Sequence, residues 1–139
     1  MPPIPPPSPV TPYLTIRGAS DAAAWYTRAL GAKELHRAMT EDGTRALHIH
    51  LELNGGTVFL MDEFPEQGGA VAPVDGPPPP VAITLQLAAP ADVDALHARA
   101  TEAGAKTAMP PDDMFWGARF AAISDPFGHQ WMFNAPLVK

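Results

Sequence analysis

The sequence has no cysteine, which excludes disulfides, thiolate nucleophiles and cysteine-ligated metals together. A metal would have to be held by His, Asp or Glu. Positive charge is scarce as well: 9 Lys and Arg stand against 15 Asp and Glu, for a formal charge of -6. A basic surface able to neutralise phosphate is not indicated, which argues against nucleic-acid and anionic-membrane partners. Long apolar runs are missing too. No stretch approaches the roughly 18 residues of a membrane span, and the opening MPPIPPPSPV has neither the basic nor the apolar region of a secretory leader. The expectation is a cytoplasmic protein whose partner is a small molecule or another protein.

Proline, by contrast, is plentiful, with 18 residues, many of them clustered at Pro2 to Pro9 and Pro77 to Pro80. Such clusters favour extended, polyproline-like backbone that packs poorly. They are read as a disordered arm, 1–10, and a linker, 63–80. The rest of the 139 residues, 46% of the whole being hydrophobic, suffices for one compact domain over 11–136 without covalent staples.

The two sides of the linker share a pattern. Leu30-Gly31-Ala32-Lys33 recurs as Ala103-Gly104-Ala105-Lys106, and Gly56 with the run after it recurs at Gly128, each about 72 residues later. Each half opens with a strand, Tyr13 to Ile16 and Val81 to Leu87. A helix follows. In the first half Ser20 is the expected N-cap, Ala22, Tyr26, Ala29 and Leu30 form the apolar stripe, and Gly31 stops it. In the second, Pro90 opens the helix, Val93, Leu96, Ala100 and Ala103 form the stripe, and Gly104 closes it. Three strands complete each half: 33–38, 46–53 and 57–61, then 106–109, 117–124 and 130–134. Asp42-Gly43 and Asn54-Gly55 are hairpin turns. A single helix covers only one face of such a sheet, so the predicted architecture is α+β, two tandem βαβββ modules (11–62 and 81–136) whose sheets cup a shared cavity.

These motifs are specific enough to carry a family resemblance. Thr11 to Ile16, Ala24-Trp25-Tyr26 before Leu30-Gly31-Ala32, His50-Leu51-Glu52-Leu53, Leu60-Met61-Asp62, Phe115 to Arg119 and above all Asp125-Pro126-Phe127-Gly128-His129-Gln130-Trp131 resemble the PhnB-like branch of the vicinal oxygen chelate superfamily of glyoxalases, bleomycin resistance proteins and dioxygenases. The resemblance covers about residues 11 to 135. It implies paired βαβββ modules, a homodimer and a small-molecule cavity. Metal enzymes of the superfamily carry His, Gln or Glu ligands on the first and last strands of each module. Their places fall here on Thr11, Leu60, Ala82 and Met132, none of which suits zinc, nickel or iron. No metal and no cofactor are therefore expected.

Strand alternation in 46–53 puts Leu47, Ile49, Leu51 and Leu53 on one face and His48, His50 and Glu52 on the other, about 7 Å apart. His50 is the candidate acid or base because histidine titrates near neutrality, with Glu52 or Gln130 as its companion. His48 and His50 are also candidate ligand contacts; a His48/His50 metal site is the unorthodox alternative. By the same parity Gln130, Met132 and Asn134 are pocket-wall candidates, while Phe59 and Trp131 are assigned to the core. Trp116, beside Phe115 after the loop 110–114, is positioned to close over a flat ligand. Asp112 and Asp113 are read as solvated, His129 as satisfying backbone groups, and Arg119 with Asp125 as an ion pair.

Three functions remain open: a metal-independent protein binding or sequestering an aromatic or amphipathic small molecule; a lyase, isomerase or dioxygenase-type enzyme using His50 or the unorthodox metal site; and an interaction dimer. The fold alone does not choose among them.

Overall fold

The computed structural model describes residues 4–137; the first three residues of the proline-rich arm lie outside them. The chain divides into two compact units, Met1–Ala72 and Pro73–Lys139. Each is a four-stranded sheet with one helix, so the chain is α+β with two tandem βαβββ modules.

The first unit runs β1 (Tyr13–Ile16), α1 (Ala19–Leu30), β2 (Lys33–Met39), β3 (Ala46–Leu53) and β4 (Gly56–Asp62). Its strand order is β1-β4-β3-β2; β1 runs parallel to β4 and the other pairs are antiparallel. Asn54 and Gly55 take φ of 52° and 79°, the paired left-handed conformation of a two-residue hairpin that sets Leu53 opposite Gly56. Residues 4–12 carry neither helix nor strand, yet the Ser8 backbone N–H donates to Thr57 Oγ1 at 2.9 Å, which ties the arm to β4.

The start of α1 differs from the sequence reading. Ser20 lies inside the helix, and the N-cap position is Gly18. The cap is supplied from across the sheet: Asp62 Oδ1 accepts the Gly18 and Ala19 N–H groups, each at 2.9 Å, and Oδ2 accepts Ala46 N–H at 2.7 Å. One carboxylate thus fixes the helix start and the first residue of β3, and its charge suits the helix N-terminus. Ser20 Oγ instead accepts from Arg37 Nη1 at 2.8 Å. The helix buries Ala22, Ala23, Trp25, Tyr26, Ala29 and Leu30 against its own sheet.

The second unit runs β5 (Ala82–Gln86), α2 (Pro90–Glu102), β6 (Lys106–Met114), β7 (Ala118–Ser124) and β8 (Gln130–Pro136), in the order β5-β8-β7-β6. Pro90 occupies the first turn of α2, and Asp92 Oδ2 accepts the Ala89 N–H at 3.1 Å. Strand β6 continues through residues 110–114, which the sequence reading leaves as a loop. Pro110 and Pro111 cannot donate, but β6 is an edge strand, where missing donors and register irregularities are tolerated. Shifts in pairing indeed fall between Thr107 and Met109 and between Met109 and Asp112.

The expected Arg119–Asp125 pair does not form. Arg119 grips Asp94 of α2 through Nε and Nη2, at 2.9 and 2.8 Å, and Asp113 through Nη1 at 2.8 Å, while Asp113 stays solvent-exposed as expected. Asp125 is buried. Its Oδ1 accepts the Phe127 and His129 N–H groups, at 2.8 and 3.0 Å, and its Oδ2 accepts Trp131 Nε1 at 2.8 Å. The Asp125–Gly128 turn is thereby fastened to the core tryptophan. His129 enters this arrangement through its backbone.

Candidate functional site

In each unit the helix covers one face of the sheet and leaves the other to the candidate residues. In the first, Ile49, Leu51, Leu53, Val58 and Leu60 are buried on the face toward α1. Leu47, at the start of β3, shares their parity but stays 48% exposed. His48, His50 and Glu52 point to the opposite face, as strand alternation requires.

That face gathers more than the sequence reading recognised. Phe59 stands opposite both Tyr13 and His50 in the strand register. Its ring meets Tyr13, His48 and His50 edge-on, at centroid distances of 5.4, 4.5 and 5.1 Å. Phe59 therefore belongs to the open face and not to the helix-facing core. Tyr13 Oη lies 2.9 Å from His48 Nδ1 and 3.2 Å from the Leu47 carbonyl. His36 of β2 pairs opposite His50, and its ring is 6.4 Å from that of His48. Tyr13, His36 and Phe59 thus join His48 and His50 in one aromatic cluster. The signal was present in β1, where Tyr13 alternates with the buried Leu14 and Ile16.

Burial grades the cluster. His50 is only 6% exposed, His48 is half-buried, and His36 and Tyr13 reach solvent. Burial pushes the Tyr13 phenol above its ordinary pKa. It also pulls His48 below the usual histidine value, helped by the neighbouring His50 and His36, because each disfavours a second positive charge. Glu52 is exposed at the far end of β3, opposite Thr57 and Lys33.

In the second unit Trp131, Phe133 and Ala135 are buried, while Gln130, Met132 and Asn134 share the other face. The core role expected of Trp131 holds. Asn134 Nδ2 donates to Gln86 Oε1 at 3.0 Å, and Asn134 pairs opposite Phe120. Trp116 sits in the β6–β7 turn, 54% exposed, with Phe115 and Phe120 edge-on to it at 5.1 and 6.0 Å. Gly117, with φ of 89°, permits this tight turn. Met132, Asn134, Phe120 and Trp116 lead from the sheet to the hairpin tip. A depression of about 300 Å³ elsewhere in this unit, around Pro73, Lys106, Ser124 and Asp125, contains none of the candidates.

The inherited metal positions offer no suitable donor set. Thr11, Ala82 and Met132 supply neither imidazole nor carboxylate. Leu60 needs correction as the fourth position: it is wholly buried on the α1 side, and the open-face residues of β4 beside it are Phe59 and Met61. A one-residue offset inverts the face of a strand. Neither replacement adds an oxygen or nitrogen ligand. Among the described residues no group of three or more His, Asp and Glu side chains is arranged to hold a metal ion, and no helix is long and apolar enough to cross a membrane.

A module of this kind, repeated, with polar and aromatic side chains on the open sheet faces, defines the α+β class of tandem βαβββ proteins. The family model of the Glyoxalase/Bleomycin resistance protein/Dioxygenase superfamily matches residues 11–133, and the chain belongs to that family. It is 36% identical over 130 residues to the uncharacterized protein Mb0911c of Mycobacterium bovis, covering 92% of this chain and 83% of that one. Among solved structures, a glyoxalase-related enzyme from Fulvimarina pelagi superposes with a TM-score of 0.72 at 21% identity, over 92% of this chain and 87% of that one. A PhnB protein from Bacillus cereus gives 0.71 at 16% identity, over 92% and 99%. At these identities the structures show a shared fold.

Proposed function

We propose that this chain is a metal-independent small-molecule-binding protein that binds or sequesters an aromatic or amphipathic molecule. The observation that carries the reading is the cluster of Tyr13, His36, His48, His50 and Phe59 on a sheet face that lacks a metal donor set. Aromatic edges and faces provide a flat apolar surface, and the histidine nitrogens provide a few oriented polar contacts, the combination a ligand site needs. Gln130, Met132, Asn134 and Trp116 supply the same mixture in the second unit. The protein acts as a cytoplasmic homodimer without a cofactor. A screen of aromatic compounds by thermal shift, on protein purified without a metal-affinity tag, tests the reading. Stabilisation by aromatic but not aliphatic compounds, lost on Phe59→Ala, supports it. A screen without a hit refutes it.

The second reading is an acid–base lyase or isomerase. It is favoured by the Tyr13–His48 pair, in which phenol and imidazole share a proton across 2.9 Å, with His50 beside it as the candidate acid or base and Glu52 as its companion. Turnover abolished by His50→Gln with binding intact would establish this reading over simple sequestration.

A further inference from the structure

The first sheet's open face is unusual in its charge chemistry. His36, His48 and His50 lie on adjacent strands and share one side. The groups facing them from each packed element are few. From β1 comes the Tyr13 phenol; from β2, His36 itself, with Lys33 one register step beyond, opposite Glu52; from β3, Glu52, which is exposed; from β4, the uncharged Thr57, Phe59 and Met61. Arg37 is engaged elsewhere, with Glu34 and Ser20. Among the described residues no salt bridge to these histidines is formed.

Imidazoles so placed repel one another when protonated, and burial adds to the penalty on a charged His48. A carboxylate or phenolate brought onto the face would relieve both effects. It would accept hydrogen bonds from the imidazolium groups while its ring rested on Tyr13 and Phe59. A neutral aromatic would gain only the second contribution.

We infer that the ligand of the Tyr13–His36–His48–Phe59 face is an anionic aromatic molecule, an aryl carboxylate or phenolate, bound with uptake of a proton by the histidine cluster. The inference rests on the small-molecule-binding reading and specifies its ligand class. Proton uptake follows because an anion raises the histidine pKa in the complex. Every unit of that rise corresponds to about tenfold tighter binding at a pH below both values than above them.

The test compares benzoate with benzyl alcohol, its uncharged counterpart, by isothermal titration of the full chain at pH 6 and pH 8. Benzoate is expected to bind more tightly at pH 6 than at pH 8, by up to about tenfold for each unit of the rise, and benzyl alcohol equally at both. Repeating the pH 6 titration in buffers of different ionisation enthalpy should reveal net proton uptake with benzoate alone. His36→Gln and His48→Gln should each reduce the benzoate pH dependence. His36 is exposed, so its replacement preserves the fold, and circular dichroism checks both variants. Equal, pH-independent binding of the two probes overturns the anion inference and leaves small-molecule binding standing. Binding of neither probe, nor of any other aromatic, removes both. Benzoate uptake unchanged in both histidine variants places the anion elsewhere and overturns the inference.

Discussion

Asp62 is the residue whose replacement should most clearly expose the logic of the first unit. Its two oxygens accept three backbone N–H groups, two at the start of α1 and one at the start of β3, and the side chain is 6% exposed. In Asp62→Asn the remaining oxygen can still accept from Gly18 and Ala19, but the new NH₂ group meets the Ala46 N–H, donor against donor. One buried hydrogen bond to a charged group is lost, worth about 1.5 to 3 kcal/mol. The favourable charge at the helix N-terminus goes with it, worth about 0.5 to 1 kcal/mol. The expected destabilisation is about 3 kcal/mol. Asp62→Ala, which orphans all three donors, should cost more. Urea unfolding followed by circular dichroism reads the difference as a lower midpoint with an unchanged slope. A loss below about 0.5 kcal/mol for Asp62→Asn, the range of an ordinary surface change, would refute the claim that this carboxylate joins helix and sheet.

Further outcomes follow from other residues. Trp131→Phe removes the indole donor to Asp125 from a fully buried site and should cost about 2 to 3 kcal/mol in the same unfolding assay. His50→Ala should cost about 1 to 2 kcal/mol, more than a solvent-facing histidine would, because its ring is packed on Phe59; a neutral change would show that the packing is not formed. His48 has a lowered pKa in the folded chain, so the unfolded chain binds its proton first. Its contribution to stability is present above the ordinary histidine value near 6.5 and is lost as pH falls from there through the folded value. An imidazole NMR titration should place His48 below that ordinary value, and a midpoint above it would contradict the burial argument. Light scattering across a concentration series should give a dimer mass, and a monomer throughout would contradict the homodimer.

The repeat, the strand and helix order and the turn at Asn54-Gly55 were legible in the sequence because each is a local signal: alternation, a 3.6-residue stripe, a left-handed turn pair. Long-range partners were not. Ser20 has the composition of a helix cap, but the cap comes from Asp62, 43 residues from Ala19, and no local pattern announces that. Arg119 and Asp125 are close in sequence, yet Arg119 faces α2 and Asp125 turns inward to Trp131. The continuation of β6 through Pro110 and Pro111 was hidden because two prolines ordinarily end a strand, and only its edge position makes them harmless. The candidate site was half legible. Alternation placed His48 and His50 correctly, but aligning the repeats one residue out moved Phe59 into the core and Leu60 out of it. Tyr13 and His36 joined the site only once the register set them opposite Phe59 and His50.

The central claim, that this family member binds its ligand without a metal, is tested most directly by titrating an aromatic ligand into protein dialysed against chelator, then repeating the titration after adding zinc or nickel. The account predicts the same affinity in both and less than one metal per chain in elemental analysis. Binding that appears only with the metal restored, at one ion per chain, would contradict it.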